Sequence, residues 1–140
     1  MKELHKRMFN EVWKWAGTFR YTNKNMGVDC FQIGTELRKL LDDTKFWIEH
    51  QIFKPDEIAV RFKHKIVSIH CFANGNGRHS RLMADIIINQ LFGMPVFHWG
   101  SSVLVKADET RKSYLTAIRA ADQGNYELLI GFARLRMGLR

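Results

Sequence analysis

Apolar residues recur at spacings of three and four along most of this chain, the pattern of amphipathic helices. Leu4, Met8, Phe9, Val12 and Ala16 line one face of a helix expected over residues 2–16 and ended by Gly17. A second helix is expected over 35–53, with Leu37, Leu40, Leu41, Trp47 and Ile48 turned inward. Pro55, Asp56 and Glu57 mark the start of the next. Proline suits a first helical turn, and carboxylates suit the positive end of the helix dipole. This helix should run to about His70 and bury Ile58, Phe62, Ile66 and Ile69. Residues 78–92 read as a further helix, anchored by Leu82, Ile86 and Leu91 and stopped by Gly93 and Pro95. After "VFHWGSS", a loop or short extended piece, Asp108 is placed to cap a helix over 109–122 that Gly124 ends. Asn125 is placed to cap a last helix over 126–136.

One stretch breaks the period. "TFRYTNKNMGVDCFQI" (18–33) has turn residues Asn23, Asn25 and Gly27 at its centre and β-prone residues on both sides. It predicts a hairpin or exposed flap. The expected fold is mostly α, a helical bundle with one β-hairpin flap, in a single domain over 1–140. Repeats, linkers and low-complexity stretches are not found. The first helix opens at the first residue with no cap before Lys2, as in a fragment or a short version of something longer.

Composition narrows the class. Apolar residues make up 46% and aromatics 12%, enough for one buried core and against disorder. "IVSIHCF" and "ADIII" are far too short to span a membrane, and the charged start "MKELHKRMFNEVWKW" is unlike a signal peptide. With only Cys30 and Cys71, neither a disulfide framework nor a four-cysteine zinc site is available, and a reducing cytoplasm is the expected setting. The net charge of +8 favours anionic partners or a solvated basic surface. Because the lysines and arginines are spread along the chain, nucleic acid is not the expected partner.

The chemistry concentrates in "HCFANGNGRHSR", residues 70–81, between two core helices. Gly75 and Gly77 let successive backbone N–H groups point into one concavity, and the following helix adds its free N–H groups and positive dipole end. Such a site suits phosphate. Arg78 and Arg81 lie in that helix's first turn, where a cation costs about a few tenths of a kcal/mol unless an anion lies nearby. A polyphosphate fits this arrangement; so does pairing of each arginine with an acid elsewhere. His70 closes the preceding helix and faces the loop, as a general base or as a structural hydrogen-bonding residue. His5, His50, His64, His79 and His98 show no zinc-ligand spacing, and His79 should face solvent or pack locally. Phe72 reads as the loop's pin into the core, and Cys71 as a buried inert thiol. The sequence has neither a P-loop nor a GxGxxG after a strand.

"HCFANGNGRHSR" resembles the signature H-x-F-x-(D/E)-G-N-G-R-x-x-R of the Fic (filamentation induced by cAMP) family. "VWKWAGTFR" (12–20) is similar to that family's Trp-Ala-Gly segment, and "YLTAIRAADQGNYELLIGFA" to its closing helices. The wording "HCF…NGNGRHSRLMAD" is similar to the branch called mobile mystery protein B. The resemblance covers nearly the whole chain. It implies transfer of AMP from ATP onto a Ser, Thr or Tyr hydroxyl of a target protein, with Mg²⁺ or Mn²⁺. His70 would be the base. Asn74, Gly75, Asn76 and Gly77 would hold the phosphates, and Arg78 and Arg81 the leaving pyrophosphate. The flap at Asn25, Met26, Gly27 and Val28 would clamp the target by strand pairing.

Two departures qualify what the resemblance implies. Asn74 stands where relatives have a metal-binding acid, which leaves it a weak metal ligand. An inhibitory (S/T)-x-x-x-E-(G/N) helix is not matched, which implies an unrestrained enzyme, a separate antitoxin-like inhibitor, or loss with a preceding segment. A Doc-like phosphotransferase falls behind because Gly77 is retained where Doc has lysine. A non-catalytic nucleotide-binding module is the further alternative. Tyr114 and Trp99 are the aromatic candidates for base recognition.

Overall fold

The computed structural model describes residues 1–100 and 107–135. Six α-helices lie among them: α1 (Lys2–Phe9), α2 (Ile33–Glu49), α3 (Pro55–Ile69), α4 (Asn76–Ile86), α5 (Ala107–Asp122) and α6 (Glu127–Arg134). The mostly α expectation holds. A 3₁₀ turn at Cys30–Gln32 leads into α2, and a π turn at Ile87–Leu91 continues α4.

Helix α3 is the centre of the bundle, with α2, α4 and α6 packed around it, α5 on α6 and α1 on α4. The predicted stripe Ile58, Phe62, Ile66 and Ile69 is buried, but so are Ala59, Val60, Lys63 and His64. A helix buried on nearly all sides must satisfy its polar groups internally. His64 does so between Asp122 (Nε2 to Oδ1, 2.7 Å) and the Tyr126 hydroxyl (Nδ1, 2.9 Å), tying the α5–α6 turn to α3. Arg134 of α6 grips Asp56 with two bonds of 2.7 and 2.9 Å.

Several boundaries and faces differ from the sequence expectation. Helix α1 stops at Phe9 rather than at Ala16, and Val12 is exposed. The chain folds back so that Trp13 and Trp15 stack at 4.7 Å beside His5 and the Gly17 N–H donates to His5 Nδ1 at 3.0 Å. Aromatic packing overrides the helical period there. In α2, Ile33, Leu37, Leu40 and Thr44 form the buried row, and Leu41 lies one step outside it. In α4 the assigned anchors Leu82, Ile86 and Leu91 are exposed. The helix buries Ser80 and Ala84 instead, small residues that let it approach α3 closely, followed by Ile87 and Ile88.

The flap contains no strand; none occurs among the described residues. Side chains take up the groups a hairpin ladder would use. Asn23 Oδ1 accepts from the Cys30 N–H at 2.8 Å, and Asp29 Oδ1 from the Phe31 N–H at 2.9 Å. Asp108 lies inside the first turn of α5 rather than before it. Asn125 Oδ1 does accept from the Glu127 N–H, at 3.1 Å. Ser101 and Ser102 of the expected loop, and residue 136 of the last helix, lie outside the described residues. Among the described residues no helix is long and apolar enough to cross a membrane.

Candidate active site

The site begins where α3 stops. His70 takes the left-handed conformation (φ 58°, ψ 62°), which turns the chain sharply off the helix axis. For a residue with a Cβ this costs on the order of 1 kcal/mol, so the surroundings must hold it. They do: the His70 carbonyl accepts Arg20 Nε–H at 2.5 Å. Phe72 is fully buried under the loop and stacks on His5 with ring centroids 3.7 Å apart. The Asn76 side chain brackets the Phe72 backbone, accepting its N–H at 3.0 Å and donating to its carbonyl at 2.8 Å. His5 fastens the other side. Its Nδ1 accepts from Gly17, so its Nε2–H donates, reaching the Asn74 carbonyl at 3.0 Å. Gly75 (φ 77°) presses on Phe9, where a Cβ would come within 2.7 Å of the ring.

This loop and the flap enclose an open cavity of ≈ 720 Å³. Lys24, Arg78 and Arg81 supply its lining cations, His70 lines it beside them, and none of its lining residues is acidic. No side chain caps α4, which begins at Asn76 on the cavity wall, so its first backbone N–H groups are left for a ligand or water. A Cβ at Gly77 would meet nothing, so the helix start stays open to a close ligand approach. Arg78 is exposed, its Cζ 5.2 Å from the Phe9 ring centroid. Arg81 is half-buried, its Cζ 5.1 Å from the Tyr114 ring centroid. Burial, then the Arg20 and Lys24 charges, pushes the His70 pKa below the usual imidazole value. A neutral imidazole beside a cationic, acid-free wall can accept a proton and steady a developing anion.

The flap reaches the cavity with Lys24, Asn25 and Met26, whereas Gly27 and Val28 anchor it. Gly27 (φ 90°) lies flush on His70; a Cβ there would approach His70 Cβ to 2.5 Å. The Val28 N–H donates to the Ile69 carbonyl at 3.2 Å. Buried Arg20 binds four backbone carbonyls: those of Thr22 and Val28 on the flap, and of Ile69 and His70 at the end of α3.

The structure thus brings every loop and flap residue expected from the sequence to one place, but gives several of them other tasks. The Asn76 and Asn74 amides are engaged with backbone, the latter accepting the Gly75 N–H at 2.7 Å. With no acid in the cavity lining, and no cluster of three His, Cys, Asp or Glu among the described residues, the chain's own donors do not fit a divalent metal. Tyr114 and Trp99 do not line the cavity; Tyr114 sits behind Arg81. His79, expected at solvent or in local packing, is buried against the Met1 carbonyl, and burial takes its pKa down to about 4. Cys71 is buried as expected, its thiol pushed up to about 12. Sequence reasoning missed Arg20, His5 and Lys63. Their one signal was a cation between Phe19 and Tyr21 for Arg20, and a polar residue at helical spacing from apolar ones for His5 (Met8, Phe9) and Lys63 (Ala59, Val60, Ile66, Val67).

A family model described as the Fic/DOC family matches residues 1–88, and the chain belongs to that family. It is 25% identical over 134 residues to "Protein adenylyltransferase Fic" of Aedes aegypti, covering 93% of this chain and 25% of that protein. Against the protein of the same name from Nematostella vectensis it is 26% identical, covering 93% of this chain and 30% of that protein. The chain therefore spans less than a third of either relative. Among solved structures, Fic-1 from C. elegans superposes with TM-score 0.74 at 24% identity over 95% of this chain and 38% of that one. BepC from Bartonella tribocorum, solved with bound AMPPNP, does so with TM-score 0.69 at 20% identity over 95% and 70%. These two likenesses establish the fold.

Proposed function

We propose that this chain is a protein adenylyltransferase that moves AMP from ATP to a side-chain hydroxyl of a target protein. One observation carries the reading: a neutral histidine and an uncapped, arginine-lined helix start face the same acid-free cavity. The names of the two curated relatives support the reaction class.

A ring nitrogen of His70 takes the hydroxyl proton of the target. The hydroxyl oxygen attacks the α-phosphorus, the bond from that phosphorus to the bridging oxygen breaks, and pyrophosphate leaves. The α4 N–H groups and Arg78 and Arg81 stabilise the charge that develops on the phosphates. The proton on His70 passes to solvent. Asn74 and Asn76 act by shaping the loop, and no step is routed through Mg²⁺ or Mn²⁺. The target lies along the flap at Asn25–Val28, next to the exposed Met26 and Phe31 side chains. A separate inhibitory protein belongs to this proposal as one that presents an anionic group to Arg81.

The test uses ATP labelled on the α or the γ phosphate, a cell lysate, and the His70→Ala variant. Label from the α position only, lost in the variant, is the expected result. Label from the γ position alone would mean phosphotransfer. Wild type that binds ATP yet transfers neither label would be a nucleotide-binding module.

A further inference from the structure

Lys63 has no part in the chemistry above, yet its placement is costly. It is fully buried on α3, seven residues or two helical turns before His70 and hence on the same face. Val67, one turn along that face, lines the cavity. The Lys63 ammonium donates to the Tyr114 hydroxyl and lies 4.6 Å from that ring's centroid and 5.8 Å from Trp99's. Arg81 shares the same ring. Its Nε is buried with no hydrogen-bond partner among the described residues. Among those residues, neither cation has a carboxylate within salt-bridge distance. A fully buried cation beside a half-buried one, with no acid between them, is destabilising unless an anion completes the pair.

The groups facing Lys63 are Arg81 of α4, Tyr114 of α5 and Trp99 before α5. Other ionisable groups around α3 are closed elsewhere. Glu57 holds Arg61, Asp122 holds His64, Arg134 holds Asp56, and Asp85 accepts from Trp99 Nε1 and the Phe97 N–H.

Building on the nucleotide reading of the cavity, we propose that Lys63 is a specificity-determining positioning residue. Held by the Tyr114 hydroxyl, its charge lies behind Arg81 as a second layer that favours donors carrying a polyphosphate over those carrying one phosphate. Burial first, and then the Arg81 charge, brings the Lys63 ammonium down to about 7, so it is only partly protonated at neutral pH. An anion on the outer side of Arg81 favours the charged form, and polyphosphate binding therefore draws a proton onto Lys63. Affinity for ATP relative to AMP falls as pH rises through neutrality. The terminal phosphate of ATP gains charge over the same interval and would act in the opposite sense.

Calorimetric titration with ATP and with AMP, in two buffers of different ionisation enthalpy, tests this on wild type and Lys63→Met. In the variant, ATP affinity is expected to drop about tenfold at pH 7 and AMP affinity less than about twofold. Wild type should take up more protons per ATP bound than the variant. Equal proton counts and an unchanged ATP-to-AMP ratio would overturn the inference while leaving the nucleotide reading intact. Wild type that binds neither nucleotide overturns that reading and this inference with it. Should Lys63→Met not fold, wild type alone decides at about pH 8, where the phosphates of both nucleotides are fully ionised: proton uptake per ATP bound no greater than per AMP refutes the role.

Discussion

Arg20→Met tests how the flap and the candidate base are held together. Arg20 is buried and bound to four carbonyls, two on the flap and two at the C-terminal end of α3. Methionine fills much of the same volume but donates nothing. The Thr22 and Val28 carbonyls can turn to water once the flap loosens. The Ile69 carbonyl keeps the Val28 N–H, whereas the His70 carbonyl is fixed by the helix end, and one buried acceptor left unpaired costs roughly 1–3 kcal/mol. For a chain of this size that lowers Tm by roughly 4–10 °C. Two further readouts separate this from general damage. The Val28 N–H, bonded to Ile69 at 3.2 Å, should exchange with solvent faster in the variant. Burial is the main cause of the lowered His70 pKa, and Arg20 is the next. Without that charge the pKa rises, so the acid limb of the transfer rate should move to higher pH. Differential scanning fluorimetry, hydrogen exchange and a pH–rate profile check the three. A Tm within about 2 °C of wild type, with Val28 exchange and the acid limb unchanged, would refute the reasoning.

Gly27→Ala meets both a φ of 90° and a contact of 2.5 Å with His70 Cβ. It should displace the flap and cut transfer at least tenfold while lowering Tm little, because the flap yields before the core does; a crystal structure with the flap in place would contradict this. Asn76→Ala removes both bonds to the Phe72 backbone and should cost roughly 2–4 kcal/mol, measurable by urea unfolding. Stability should also fall as pH drops from 6.5 toward 4. His79 binds a proton at 6.5 when unfolded but only near 4 when folded, so below 6.5 protons favour the unfolded chain. His5 and His64, lowered chiefly by burial, add in the same direction. Urea midpoints at pH 7.5 and 5 that coincide would contradict this.

The chemistry of the loop was legible before the fold because it is written in adjacent residues. Gly75, Gly77 and Arg78 sit at one helix start with Arg81 one turn further on, and His70 closes the helix before it. Backbone freedom, helix-end N–H groups and cationic side chains are local properties, and local sequence determines them. Helix α3 was legible for the same reason, through Pro55 at its start and its apolar period.

What the tertiary structure alone decided are the partners that lie far apart in sequence. Arg20 reaches His70 across 50 residues, His5 reaches Asn74 across 69, and Lys63 reaches Tyr114 across 51. No period or spacing encodes these pairs; they exist because the bundle brings α1, the flap and α5 against the ends of α3 and α4. The same holds for the buried face of α4. Ser80 and Ala84 carry little hydrophobic signal, yet their small size lets α4 lie close to α3, whereas Leu82 and Ile86 face outward. Sequence thus determined which groups the site contains, and packing determined which remain open to a ligand and which are spent holding the loop.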